Sequence, residues 1–181
     1  MFEVLQYDFI QNALIAGVLI SIAAGIIGSL VVVNKITFLT GGIAHSSYGG
    51  IGLAIYTGIP VLFGATVFAV ITAVLIAIIT LNNRNRIDAI IGMMWASGMA
   101  IGIIFVDLTS GYNVDLMSYL FGSIIAVSSE DIKYMFVMDI FIIAVIIYFY
   151  KEILAVSYDS EFATLRGINV KFFYTLILIL A

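Results

Sequence analysis

The chain has 181 residues, of which 64% are hydrophobic and 10% charged, with a formal net charge of −4. A soluble domain carries roughly a quarter charged residues, so a water-covered globular surface is excluded. The acidic balance argues against nucleic acid as a partner, and the lack of cysteine removes both a disulfide framework and a thiolate metal site.

A membrane helix needs about 20 apolar residues, and the runs fall in order along the chain. The start, MFEVLQYDFIQN, has no basic n-region and no small-residue cleavage site, so the first run, Phe9–Asn34, reads as a retained span. Ile36–Thr57 and Val61–Leu81 follow, divided by the turn signal Thr57-Gly58-Ile59-Pro60. Ala89–Val106 is the fourth span and Tyr134–Tyr150 the fifth, the latter with Asp139 inside it. A sixth starts near Val170 and is too short at Ala181 to cross a bilayer, so the chain reads as a fragment. The segment 116–129 is apolar but short, which favours a re-entrant or interfacial helix. The expected fold is all-α: one polytopic membrane bundle over residues 1–181, with five complete spans and a truncated sixth.

Orientation follows from the basic residues. Lys35, Arg84, Arg86, Lys151, Arg166 and Lys171 fall in alternate connections, while Glu3, Asp8, Asp107, Asp115, Glu130 and Asp131 fall in the opposite ones with Lys133 alone. This places the N-terminus outside and the basic loops in the cytoplasm. Small residues recur at helical spacing, Gly17, Ser21, Gly25 and Gly28 in the first span and Gly98 and Gly102 in the fourth, as packing stripes between helices.

Between Lys35 and Arg84 the one ionisable side chain besides tyrosine is His45, the single histidine of the chain. An imidazole in lipid is costly to bury without a partner or a task. Positions four apart share a helix face, so Gly41, His45 and Gly49 form one stripe, and Gly42, Ser46 and Gly50 the next. Two glycine-rich stripes beside an imidazole suggest a groove lining an ion path. The alternative is a structural histidine bonded to a neighbouring helix. Asp139 is the second intramembrane group, read either as part of a cation path or proton-linked site, or as a hydrogen-bonded acid near the outer interface. One histidine and one carboxylate do not make a closed zinc site of four ligands, so a metal would be held transiently, with a second copy completing the site. Asp107 and Asp115 would stand at the outer mouth.

The loop 157–169, SYDSEFATLRGIN, reads as a short cytoplasmic helix with Asp159 as cap, Glu161 and Arg166 matched to the helix dipole, and Gly167 as stop. Phe162 and Leu165 share a face, and a helix this short must lean on its own bundle or a partner. There is no phosphate-binding loop, the GGIG cluster at 49–52 lies in a span, and no hydrolase arrangement appears.

Three segments resemble one family, the membrane permease subunit of zinc/manganese-type ABC metal importers. They are NKITFLTGGIAHSSYGG at 34–50, with Phe38, His45 and Gly50 in register; YLFGSIIAVS at 119–128; and SYDSEFATLRGI at 157–168. The resemblance implies a homodimeric permease in a prokaryotic cytoplasmic membrane, carrying separate ABC ATPase subunits and fed by an extracytoplasmic metal-binding protein. It implies no permanently bound cofactor, only a transported zinc or manganese ion, with iron as a further possibility, and no enzymatic activity of its own. It makes 157–169 the coupling helix segment, with Asp159, Glu161, Phe162, Ala163 and Gly167 on the motif, and puts His45 on the ion path. This chain departs from the pattern where the family's aspartate falls at Gly41, its proline at Gly49 and its paired arginines at Asn34-Lys35, which makes Asp139 a substitute acid. Further spans would follow the coupling helix. Two other functions fit the residues: a secondary cation carrier relaying protons through His45 and Asp139, and a non-transport membrane scaffold.

Overall fold

The computed structural model describes residues 7–82, 87–109 and 123–181. Every regular element among these is helical: α1 (Asp8–Val33), α2 (Thr37–Ser46), α3 (Tyr48–Thr57), α4 (Val61–Asn82), α5 (Ile87–Asp107), α6 (Ser129–Tyr148), α7 (Tyr150–Tyr158), α8 (Ser160–Leu165) and α9 (Val170–Leu180), with a 3₁₀ turn at Ile124–Ala126 before α6. α1, α4 and α5 are long and apolar enough to cross a membrane, and α6 with α7 makes a fourth candidate bent by 73° at Phe149. The expectation of five complete spans is thus met only in part. The second apolar run is not one helix but two, α2 and α3, broken at Ser47.

Two adjacent hydroxyls stand at the break. Ser46 Oγ donates to Ile43 O at 2.8 Å and Ser47 Oγ donates to Ala44 O at 2.6 Å. Hydroxyls that bond back onto the preceding turn compete with the helix ladder and bend it. The backbone then tightens, with Gly50 N donating to Ser47 O at 2.8 Å. The fifth run also differs from its expected start. Ser128 and Asp131 form a reciprocal capping box, which begins α6 at Ser129 and draws Glu130, Asp131 and Lys133 into helix. The proposed re-entrant helix at 116–129 falls largely outside the described residues; its end, 123–128, is the 3₁₀ turn and the cap of α6.

α1 closes on a left-handed residue, Lys35 (φ 57), with Ile36 N returning to Val31 O at 3.1 Å. Asn34 Nδ2 donates to Leu30 O at 2.8 Å and to Ser157 Oγ at 2.9 Å, tying this turn to α7. The aliphatic core gathers Ile27 and Val31 of α1, Leu39 and Ile43 of α2, Ile76 of α4 and Ile153 of α7 around Ile177 of α9. Gly58 caps α3 in the left-handed region (φ 76) and turns the chain into α4.

Lipid tails are as apolar as leucine, so helices in a membrane associate through close packing of small residues. The fourth-span stripe does this. A Cβ on Gly98 would come within 2.5 Å of Ser46 O, one on Gly102 would strike the Tyr48 backbone, and one on Gly52 the Gly102 backbone. The α2–α3 pair is therefore seated directly on α5. The first-span stripe does not pack this way, since Cβ atoms on Gly25 and Gly28 would meet nothing within 4 Å.

Candidate ion-path site

The seam against α5 sets where each residue of the histidine segment points. Gly42, Gly49 and Gly50 are buried, their Cβ positions occupied by Ile91, by Phe68 and Gly98 O, and by Gly64 and Phe68. Gly42, Gly49 and Gly50 are therefore filled contact surfaces rather than parts of the open groove expected of the two stripes. Ser46 is fully buried with its hydroxyl committed to Ile43 O. Gly41 is different: it is half-buried, and a Cβ there would meet nothing within 4 Å. Open space lies one turn before His45, where the resemblance expects a carboxylate.

His45 is half-buried and stacks on Trp95 of α5, with ring centroids 4.1 Å apart and planes 4° from parallel. Neither ring nitrogen forms a hydrogen bond with any described residue. One face rests on indole, and neither nitrogen is taken up by a described residue. Trp95 itself is held, its Nε1–H donating to Met99 Sδ at 2.9 Å. Sequence reasoning passed over Trp95, although Trp95, Gly98 and Gly102 stand at i, i+3 and i+7 and so share the face turned to α2 and α3.

Asp139 lies elsewhere. It is 8% exposed and borders a cavity of about 250 Å³ between α1, α4 and α6, lined also by Ala23, Leu62, Tyr134 and Met138. No residue of the histidine segment lines that cavity. Its Oδ2 is buried without a hydrogen-bond partner among the described residues. The nearby Tyr134 hydroxyl donates to Thr66 Oγ1 at 2.8 Å instead. No group of three or more histidine or carboxylate side chains among the described residues could hold a metal ion.

The segment 157–169 folds as the sequence indicates. Asp159 accepts from Phe162 N at 2.9 Å and caps α8. Gly167 (φ 78) closes it, with its N–H on Thr164 O and the Ile168 N–H on Ala163 O, both at 3.0 Å. Ala163 is wholly buried in the core, so α8 leans on its own bundle. Glu161 is exposed, Phe162 is 49% exposed with the Arg166 guanidinium 5.2 Å from its ring centroid, and Leu165 is 87% exposed. Asp107 is exposed at the end of α5, while Arg84, Arg86 and Asp115 lie outside the described residues.

Several helices long and apolar enough to cross a bilayer, among them the bent α6–α7 pair, define a polytopic membrane protein. Residues 6–181 match the ABC 3 transport family, and the chain belongs to that family. It is 45% identical over 174 residues to an uncharacterized membrane protein of Synechocystis sp., covering 96% of this chain and 62% of that one. It is 31% identical over 178 residues to a manganese transport system membrane protein of Halalkalibacterium halodurans, covering 98% and 61%. Among solved structures it resembles PsaBC from Streptococcus pneumoniae in complex with Fab, with TM-score 0.83 and 30% identity, covering 97% of this chain and 63% of that one. The chain spans roughly three-fifths of the length of these relatives.

Proposed function

We propose that this chain is part of the permease subunit of an ABC importer that moves a divalent transition-metal ion, zinc, manganese or iron, into the cytoplasm. The observation that carries the reading is His45: a half-buried imidazole on a broken helix, with neither nitrogen bonded to a described residue. Family membership and a relative described as a manganese transport system membrane protein support it. The metal is cargo, so a weak site with few protein ligands suits release. Two copies of the chain would bring two His45 rings to one path. Gly41 leaves room beside the ring, and Ser46 and Gly49 hold its helix against α5 rather than lining the path. Asp139 would be a separate polar point in the bundle. α8 would seat in a separate ATPase subunit through Glu161, Phe162 and Leu165, with Asp159, Ala163 and Gly167 fixing its shape. The N-terminus would lie outside, where a metal-binding protein delivers the ion.

The test is His45→Ala in the complete-length protein with its ATPase. Metal uptake should fall at least about tenfold while the amount of protein in the membrane stays the same. Undiminished uptake would remove His45 from the path.

A further inference from the structure

We propose that Trp95 is the positioning residue of this site: its indole face clamps the His45 ring and favours the neutral imidazole polarised by a bound divalent metal ion. The inference rests on the reading of His45 as a path residue and adds what holds and tunes that residue.

Three observations carry it. The stack is close and parallel, 4.1 Å between centroids and 4° between planes. It is the one ring contact of the His45 side chain with the described residues, and no hydrogen bond from them holds the ring. Trp95 is itself fixed twice, by its Nε1–H on Met99 Sδ and by the backbone contact of Gly98 with Ser46, next in the chain to His45. The indole is thus a rigid platform rather than a chance neighbour.

The chemistry follows from the charge distribution of an aromatic face. That face is negative and attracts cations, most strongly when water is excluded. An imidazole whose nitrogen donates its lone pair to a divalent ion becomes electron-poor, and the indole beneath stabilises that polarised ring over the unbound one; a proton competes for the same nitrogen, so affinities are compared at one pH above the imidazole range. The platform also keeps the imidazole edge on, so a nitrogen rather than the ring face meets the ion. This contribution does not depend on which ion is bound. It should therefore strengthen Mn²⁺ and Zn²⁺ binding by a similar factor, leaving discrimination to the remaining ligands.

The experiment is equilibrium dialysis of Mn²⁺ and of Zn²⁺ with the complete chain in detergent, comparing the unsubstituted protein with Trp95→Phe, Trp95→Leu and His45→Gln. Trp95→Leu should weaken both ions about tenfold, and Trp95→Phe by less than about threefold because an aromatic face remains. Trp95 is also the single tryptophan of these 181 residues. With any further tryptophans of the complete chain changed to phenylalanine, paramagnetic Mn²⁺ should quench its emission saturably, at the concentration where Mn²⁺ binds. Unchanged affinities in Trp95→Leu, or Mn²⁺ binding without quenching, overturn the proposal. Should Trp95→Leu fail to accumulate, the quenching measurement decides alone. Full metal affinity in His45→Gln is a different result: it removes the reading of His45 itself.

Discussion

His45 and Asp139 are both polar groups inside an apolar bundle, and the structure treats them in opposite ways. His45 rides on a seam where backbones touch, its ring laid on Trp95 and its nitrogens left open. Asp139 borders a cavity lined by aliphatic, methionine and tyrosine side chains, with one oxygen buried and unbonded among the described residues. A carboxylate at a helix centre costs about 2.5–3.5 kcal/mol on insertion scales. The first polar group lies beside close helix packing and against an aromatic face; the second is buried among apolar side chains. A ring held on one face and a carboxylate buried without relief among the described residues are what distinguish the proposed path residue from Asp139.

The comparison breaks most directly at the seam. Gly98→Val would drive a branched side chain into the Ser46 backbone, where no flexible group can yield. Overpacking of this kind should destabilise by about 3 kcal/mol. The thermal midpoint of the detergent-solubilised protein should fall by several degrees, and metal uptake with it. A normal midpoint would mean that α2 and α3 do not rest on α5. On the other side, Asp139→Leu should raise stability by about 2 kcal/mol, because it removes an unpartnered buried carboxylate and fills part of its cavity. Thermal melts check this as well. A lower midpoint would show that the carboxylate has a partner in the assembled protein, and the contrast with His45 would vanish.

Much of this was legible in the residues. Apolar run length located α1, α4 and α5, because backbone groups in lipid must be satisfied within a helix. Asp159 and Gly167 announced the ends of α8, since capping and left-handed closure are local chemistry. The break at Ser47 was less legible: a continuous apolar run says nothing of two adjacent hydroxyls turning back on the ladder. The glycine stripes around His45 misled for a related reason. Small residues permit either a groove or a close approach, and only the position of α5 decides between them. The Trp95 stack depends on two helices meeting at one height, which spacing within each helix does not encode.

The smallest effect concerns Gly41 and sharpens the contrast most. It shares a face with His45 one turn away, and a side chain there meets open space, so Gly41→Asp should add a carboxylate without displacing anything. Glycine is a poor helix residue and aspartate only a modest one, and in the proposed ion path a carboxylate stays solvated and escapes the burial cost that Asp139 bears, so stability should stay within about 0.5 kcal/mol. Metal binding should gain. An oxygen ligand beside the imidazole supplies what the site lacks, and an improvement of about 1.4 kcal/mol would tighten Mn²⁺ roughly tenfold. Manganese should gain more than zinc, because carboxylate suits manganese better than imidazole does. Dialysis with both ions measures the two affinities side by side. If Gly41→Asp tightens neither, the open space beside His45 does not lead to the ion, and the imidazole is no better placed to bind metal than Asp139.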